Sequence, residues 1–285
     1  SKMMFKIKKY IPDIVVAIIL IAGIGLLAYP TIGDYINALH SSKAIGSYVE
    51  KTKDLSKEEK ENLLREAREY NESLVGKVNR YYLNEEEKKR YAHILDITKT
   101  GIMAYVEIPK LNIYMPVYHG TDEGVLQIAA GHLPGSSLPV GGENTHSLIS
   151  GHRGLPSAKL FTDIDKLKKG DLFFIHVFDE VLAYKVNQIK IVLPDDVETL
   201  EIEKGKDYVT LITCTPYGVN SHRLLVRGER TVYKQSESKI EDMIKKNNLK
   251  YIMLTAGVIL ALIGMTVLVS VFLIKRRKRR KLNEK

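Results

Sequence analysis

Residues 208–228 read Tyr208-Val-Thr-Leu-Ile-Thr-Cys214-Thr-Pro-Tyr-Gly-Val-Asn-Ser-His-Arg223-Leu-Leu-Val-Arg227-Gly228. Their β-branched and apolar residues predict two strands, Tyr208–Cys214 and His222–Arg227, joined by a loop of turn-forming residues. The only cysteine of the chain ends the first strand, and an arginine nine positions later begins the second. If the two strands pair, Cys214 and Arg223 meet at one end of a sheet.

A thiolate beside a permanent cation with several N–H donors suits attack on a carbonyl and stabilisation of the oxyanion. A cysteine nucleophile also needs a proton-transfer partner. His152 is our candidate, because glycines flank the His-Arg dipeptide at the end of a predicted strand. His222 and Arg227 are the rival histidine and arginine, although strand alternation sends His222 to the face opposite Arg223. The alternative for Cys214 is a small buried apolar residue.

The net charge of +9 first suggests a nucleic-acid partner, but its distribution excludes one. The first ten residues contribute +4 and residues 275–285 contribute +7, which leaves −2 for residues 11–274. A single cysteine excludes an internal disulfide framework and a cysteine-based zinc site. We therefore expect no nucleic-acid partner, no metal and no cofactor.

Two apolar segments predict membrane spans. Ile14–Tyr29 is a 16-residue apolar run that follows lysines, and we interpret it as an uncleaved anchor, with a cleavable signal peptide as the alternative. Tyr251–Ile274 is 24 residues long without a charge, and a strongly basic tail follows it. Basic flanks remain cytoplasmic, so the prediction is a two-span cell-membrane protein with both termini inside and the catalytic domain outside.

The remaining pattern predicts a mostly β domain with short helices. Seven or eight strands are expected after Gly101, which favours a largely antiparallel barrel or sandwich. One amphipathic helix is predicted over Leu160–Leu167 and ends before Gly170. Before the strands, capping boxes at Ser56 and Asn84 predict two helices.

The predicted segments, in chain order, are a basic cytoplasmic N-terminus (1–10), a transmembrane anchor or signal segment (11–31), an extracytoplasmic helical region with a candidate lid (32–99), a catalytic β-barrel (100–232), a helical linker (233–249), a transmembrane helix (250–274) and a basic cytoplasmic tail (275–285).

The tract Thr213–Gly228, with Ser150-Gly-His152 upstream, resembles the sortase family of Gram-positive cell-surface transpeptidases. It is most similar to the class C, pilus-assembling branch, and a carboxy-terminal span with a basic tail agrees with that branch. The resemblance covers about residues 100–232. It implies a closed eight-stranded β-barrel with Cys214 as nucleophile, His152 as general acid and base, and Arg223 as the oxyanion or substrate-orienting group.

The implied reaction cleaves an LPxTG-like sorting signal between Thr and Gly through a thioacyl intermediate. The implied partners are pilin or surface-protein sorting signals and an acceptor lysine of a pilin, or else a cell-wall peptide amine, beside the lipid bilayer. The alternatives are a housekeeping sortase that anchors surface proteins to peptidoglycan, and a catalytically silent scaffold for pilus assembly.

Class C enzymes commonly carry an amino-terminal lid with an Asp-Pro-aromatic motif. This chain has no Asp-Pro pair between Asn71 and Thr100. The connector Lys77–Leu83 stands where that lid is expected, and Arg80, Tyr81 and Tyr82 are its residues able to fill a cleft. We expect Tyr81 or Tyr82 to occupy the substrate groove, with a solvated interhelical loop as the alternative.

Overall fold

The computed structural model describes residues 11–233 and scattered positions between 249 and 275. Eight strands close into a barrel in the order β1-β2-β3-β4-β7-β8-β6-β5. The pairings are antiparallel except for β2 with β3 and β4 with β7. The strands are β1 Ile102–Ile108, β2 Ile113–His119, β3 Ala130–His132, β4 Thr145–Ser150, β5 Leu172–Val177, β6 Glu180–Val192, β7 Asp207–Thr215 and β8 His222–Thr231.

Alternation along the strands separates the barrel interior from its outer surface. On β7, Val209 and Leu211 lie in the main core, whereas Ile212 belongs to a separate apolar cluster. On β8, Leu224 lies in the main core and Leu225 in that same separate cluster. Residues two positions from Ile212 and Leu225 therefore also face outward.

The helices are α1 Ile11–Asp54, α2 Lys57–Leu74, α3 Glu85–His93 and the four-residue α4 Glu123–Leu126. Both predicted capping boxes are present, because Ser56 and Asn84 each accept from the N3 backbone while the N3 glutamate accepts from the cap. α2 ends just before Gly76, which adopts a positive φ of 71°. That left-handed conformation terminates a helix at least cost in glycine.

Helix α1 is longer than the apolar run predicts. It continues through Pro30 to Asp54, although proline removes one backbone donor. Over Val15–Asp54 it is long and apolar enough to cross a membrane, with a mean hydropathy of 2.4 in its most apolar window. The compact unit that contains the barrel begins at Ile36. Within that unit the fully buried Tyr48 donates a hydrogen bond to the Met103 carbonyl.

Two sequence-based predictions are wrong in detail. The amphipathic helix over Leu160–Leu167 is only a short 3-10 turn, Ile164–Lys166, because Leu160 adopts a φ of +39° and Phe161 packs over Gly151. The segment Asp122–Pro139 is rich in glycine and proline, which predicts a loop, but it contains strand β3. Residues 234–248 of the predicted linker helix, 233–249, fall outside the described residues, as does half of the predicted second span, 251–274.

Candidate active site

The register of β7 and β8 brings the predicted nucleophile and arginine together. Cys214 lies directly opposite Arg223 in this antiparallel pair, and Thr215 lies opposite His222. Directly opposed residues have Cα atoms about 4.5–5.5 Å apart. Both Cys214 and Arg223 face outward, since each is two residues from a member of the outer apolar cluster. His222 lies on the other face, as alternation predicts.

The loop after β4 carries His152 to the same end of the barrel. β4 runs parallel to β7 with Ser150 opposite Ile212. Two further hydrogen bonds extend this pairing beyond the strand: the Gly151 N–H donates to the Ile212 carbonyl at 3.0 Å, and Thr213 Oγ1 donates to the Gly151 carbonyl at 2.8 Å. The parallel alignment therefore sets His152 beside Cys214.

The glycine before His152 is required by packing. A Cβ at Gly151 would lie 2.6 Å from the Phe161 ring, closer than any side chain tolerates. The Phe161 N–H also donates to the His152 carbonyl at 3.1 Å. The loop can therefore pass between the β7 backbone and Phe161 only because residue 151 has no side chain. This close approach fixes the backbone position of His152.

A carboxylate that the sequence reasoning missed approaches His152. Oε2 of Glu123, on α4, lies 3.4 Å from His152 Nε2, and this buried ring nitrogen has no hydrogen-bond partner within the part of the chain that the structure describes. Hydrogen bonding from Gln127, and then the neighbouring imidazole, lower the pKa of Glu123. No motif marked Glu123, because it follows a glycine-rich turn far from the catalytic tract.

The arginine at Cys214 is free for a substrate, whereas its rival is engaged. Among the described residues, the hydrogen-bond partners of Arg223 Nη1 are the backbone carbonyls of Asn220 and His222, at 3.3 and 3.2 Å. Arg227, by contrast, donates to Glu203 at 3.0 Å and to Asn187, and it lies over the Tyr208 ring. Arg223 is therefore the arginine available to a developing oxyanion. Within the described residues, no three His, Cys, Asp or Glu side chains converge as a metal site would require.

A cluster of apolar side chains lies beside Cys214 and Arg223 on the outer face of the barrel. Leu148, Ile212 and Leu225 from the barrel and Leu200 from the β6–β7 loop form a buried patch, here called the apolar layer. Ile212 and Leu225 are two residues from Cys214 and Arg223, which is about 7 Å along a strand. On β4 and β7, farther from Cys214, His146 Nε2 and Thr210 Oγ1 share a hydrogen bond of 2.7 Å. The apolar layer therefore lies on the same face of β7 and β8 as Cys214 and Arg223.

The candidate lid, Lys77–Leu83, contacts this apolar layer through Tyr81. Tyr81 packs against the apolar layer, and Tyr82 is 85% exposed. Arg80 is buried and donates to Glu201 Oε2 at 2.9 Å and to the Leu200 carbonyl at 2.8 Å. Burial raises the pKa of Tyr81, and the Arg80 guanidinium donates to its hydroxyl oxygen. The three predicted lid residues are therefore not equivalent, because Tyr81 packs on the apolar layer, Arg80 binds Glu201 and the Leu200 carbonyl, and Tyr82 is exposed.

Comparison with known proteins confirms the resemblance. The Sortase domain matches residues 106–231, which contain every strand except the start of β1. The structure of sortase C1 from Streptococcus agalactiae is 49% identical, with a TM-score of 0.66, and the match covers 67% of this chain and all of that one. This chain belongs to the class C branch of the sortase family.

Further relatives of this sortase support the assignment. Streptococcus pneumoniae sortase C is 47% identical over 68% of this chain and 99% of that structure, with a TM-score of 0.62. Sortase A of Bacillus anthracis is 31% identical over 133 residues, 47% of this chain and 61% of that protein. The sortase spans about 61% of the length of the first curated relatives it matches. The expected closed eight-stranded barrel is confirmed.

Proposed function

We propose that this sortase is a membrane-anchored cysteine transpeptidase that polymerises pilus subunits. It would cleave an LPxTG-like sorting signal between Thr and Gly and transfer the new carboxyl end to a pilin lysine. The observation that carries the proposal is the β7–β8 register, which sets Cys214 opposite Arg223 while β4 delivers His152 alongside. No other cysteine exists in the chain to serve as the nucleophile.

In the first step the Cys214 thiolate sulfur attacks the threonine carbonyl carbon. The carbonyl electron pair moves to oxygen, and the Arg223 guanidinium stabilises the resulting oxyanion by about 3 kcal/mol, as a preorganised donor does. Collapse of the tetrahedral intermediate breaks the Thr–Gly C–N bond. His152 donates its proton to the departing glycine nitrogen, which leaves as an amine. The product is a thioester between Cys214 and threonine.

In the second step a lysine ε-amine attacks the thioester carbonyl. His152, now neutral, accepts the proton that the amine loses, and Arg223 again stabilises the oxyanion. Cleavage of the C–S bond releases the Cys214 thiolate and leaves an amide between the threonine and the lysine. The protonation states at the end equal those at the start, so each residue is ready for another cycle.

The apolar layer supports an apolar signal sequence. Leu148, Ile212 and Leu225 offer a surface beginning about 7 Å from the Cys214–Arg223 pair. The leucine of an LPxT segment lies three residues, about 10 Å in extended chain, from the threonine bound at Cys214. The Leu-Pro part of the signal therefore reaches this surface. Burying a leucine side chain there contributes about 2 kcal/mol to binding.

The connector Lys77–Leu83 is proposed to act as a lid on that surface. Tyr81 occupies the apolar layer, and the Arg80–Glu201 ion pair at 2.9 Å fastens it to the β6–β7 loop. A sorting signal and Tyr81 would compete for the same apolar side chains. Because this lid carries an arginine in place of an Asp-Pro-aromatic motif, it is held by the β6–β7 loop. No carboxylate of the described residues pairs with Arg223.

The proposed localisation is the cell membrane. Helix α1 supplies one candidate span, and the second, 250–274, rests on its composition and on the basic tail that follows it. In this arrangement residues 1–10 and 275–285 lie in the cytoplasm, and the barrel, the helical region before it and the linker lie outside. A pilin carried across the membrane would then meet the active site at the outer surface.

Incubation of the detergent-solubilised full chain with a pilin bearing an LPxTG-like signal tests the proposal. A covalent ladder on a denaturing gel, with a Cys214 thioester trapped by hydroxylamine, is the expected result. The Cys214→Ala variant should produce neither. Transfer to a cell-wall peptide amine without a ladder would identify the chain as a housekeeping sortase. Failure of the wild-type chain to form a thioester would instead support the catalytically silent scaffold.

A further inference from the structure

An arginine next to His152 connects the two segments that carry the reacting groups. Arg153 Nη1 donates to Thr215 Oγ1 at 3.3 Å, and Thr215 directly follows Cys214. Arg153 Nη2 donates to Asp165 Oδ2 at 2.5 Å, in the 3-10 turn after the loop. One guanidinium therefore contacts the strand end that carries Cys214 while its own backbone belongs to the loop that carries His152.

The packing around Arg153 indicates a rigid joint. Its side chain is only 10% exposed, and its Nε is buried without a partner in the described part of the chain. Its Cζ lies 5.9 Å from the centre of the Tyr217 ring, in the β7–β8 loop. Tyr217 also covers Gly154, where an added Cβ would lie 3.2 Å from the ring. Burying a guanidinium is costly, so this arrangement persists because its bonds to Asp165 and Thr215 offset that cost.

We propose that Arg153 is a positioning residue that fixes the reach between the His152 imidazole and the Cys214 thiol. The inference rests on the proposed function, because in that reaction His152 must reach the leaving nitrogen of a substrate bound at Cys214. Transfer needs heavy atoms about 2.6–3.2 Å apart, and a misplacement of about 1 Å costs about 100-fold in rate. Without Arg153 the loop is held to β7 only through Gly151.

The test is a double-mutant cycle between Arg153 and His152 in the detergent-solubilised full chain. The measured quantity is the rate at which a small iodoacetamide probe alkylates Cys214 at neutral pH. If Arg153 acts through His152, Arg153→Ala lowers the rate about as far as His152→Ala does. The double variant then reacts at the rate of His152→Ala alone. The proposal is overturned if the double variant loses rate by the product of the two single-variant factors. It is also overturned if Arg153→Ala leaves the alkylation rate unchanged.

Arg230→Ala is the matched control. Arg230 also pairs with an aspartate, Asp207 at 3.9 Å, and lies 5.8 Å from the Tyr184 ring, but at the other end of β7. It should leave the alkylation rate within about twofold of the wild type. If Arg153→Ala does not fold, Thr215→Val removes only the hydrogen bond to the β7 end, and the same cycle with His152 decides by the same criterion.

Turnover provides a second readout. For a sorting-signal peptide, Arg153→Ala should lower kcat about 10- to 100-fold while KM changes less than threefold, since Arg153 does not line the apolar layer. Arg153→Lys should recover part of the loss, because an ammonium reaches one partner but not both. Alkylation needs no sorting signal, so it decides the role of Arg153 even if the wild-type chain cleaves no peptide.

Discussion

At the scale of single residues, the proposed role of Arg223 depends on the shape of its side chain as well as on its charge. A guanidinium presents a fixed fork of N–H donors, whereas an ammonium is a compact point charge. Arg223→Lys should therefore lower kcat/KM about 100-fold, measured with a sorting-signal peptide. Arg227→Lys is the control, since Arg227 is engaged by Glu203 and Asn187. If Arg223→Lys keeps a near-normal kcat/KM while Arg227→Lys is inactive, Arg227 and not Arg223 stabilises the oxyanion.

His152 gives a second prediction at this scale. His152→Ala should abolish turnover, because the leaving glycine nitrogen has no proton donor and the intermediate returns to substrate. The thioester to Cys214 should fail to accumulate in a rapid-quench experiment. His222→Ala is the matched control, because His222 lies opposite Thr215 on the other face of β8. A loss of turnover confined to His222→Ala would mean that the general acid has been misassigned.

At the scale of elements, the lid makes Tyr81 and Tyr82 experimentally distinguishable. Tyr81→Ala should raise kcat/KM for a sorting-signal peptide severalfold, because removing a competitor from the apolar layer increases the fraction of molecules in which that layer is free. Arg80→Ala should act in the same direction by freeing the connector from Glu201. Tyr82→Ala should change nothing, since its side chain is 85% exposed. Equal rates in all three variants would show that the connector does not cover the apolar layer.

Elements with a regular hydrophobic periodicity could be predicted from the sequence. Elements that depend on contacts between residues distant in sequence could not. Seven strands alternate or run apolar long enough to be recognised. Strand β3 is the three-residue Ala-Gly-His, which is a strand only because β2 and β4 pair with it. Likewise, Leu160–Leu167 has helical spacing, but Phe161 is drawn over Gly151 and helical geometry is lost.

The candidate site shows the same division. The meeting of Cys214 with Arg223 could be predicted because two strands mark it in the sequence, and the glycine-flanked loop marked His152 as their proposed partner. Arg153 and Glu123 could not, since their importance arises from where Thr215 and the His152 ring lie in space. Tyr81 and Tyr82 are identical neighbours in sequence, and only the direction of each side chain separates them.

At the scale of the whole molecule, the predicted orientation can be tested with a tag after Lys285. Protease added to intact protoplasts should digest the barrel region and spare the tag, because the tail of Lys and Arg residues keeps that end inside. Immunoblotting of the tag before and after detergent permeabilisation provides the measurement. Loss of the tag from intact protoplasts would contradict the two-span arrangement.

Stability should fall on mild acidification. Burial lowers the pKa of His132 to about 3 and that of His146 to about 4, whereas unfolded histidine titrates near 6.5. Their neutral forms therefore contribute stability that is complete above pH 6.5 and is lost as the pH falls toward the folded values. Each pH unit of difference corresponds to about 1.4 kcal/mol per histidine.

The measurement is urea unfolding of the full chain in detergent, followed by circular dichroism between pH 7.5 and 4.5. His146→Gln should show a shallower loss than the wild type, because glutamine cannot take up a proton in the unfolded state. His93→Gln is the control, since His93 is exposed on α3. If the free energy of unfolding depends on pH identically in the wild type and in His146→Gln, His146 does not contribute to the loss of stability in acid.

The parallel pairing of β4 with β7 has a consequence for when the enzyme becomes active during synthesis. Thr213 and Gly151, which join the two strands beside the site, are separated by 62 positions in the chain. Contacts between residues so far apart in sequence form late, because a long loop must close before they yield any stabilisation. A nascent chain that already includes His152 lacks its thiol, and one that has just acquired Cys214 still lacks Arg223. Chemical competence therefore arises in one step, after the last strand of the barrel has been made.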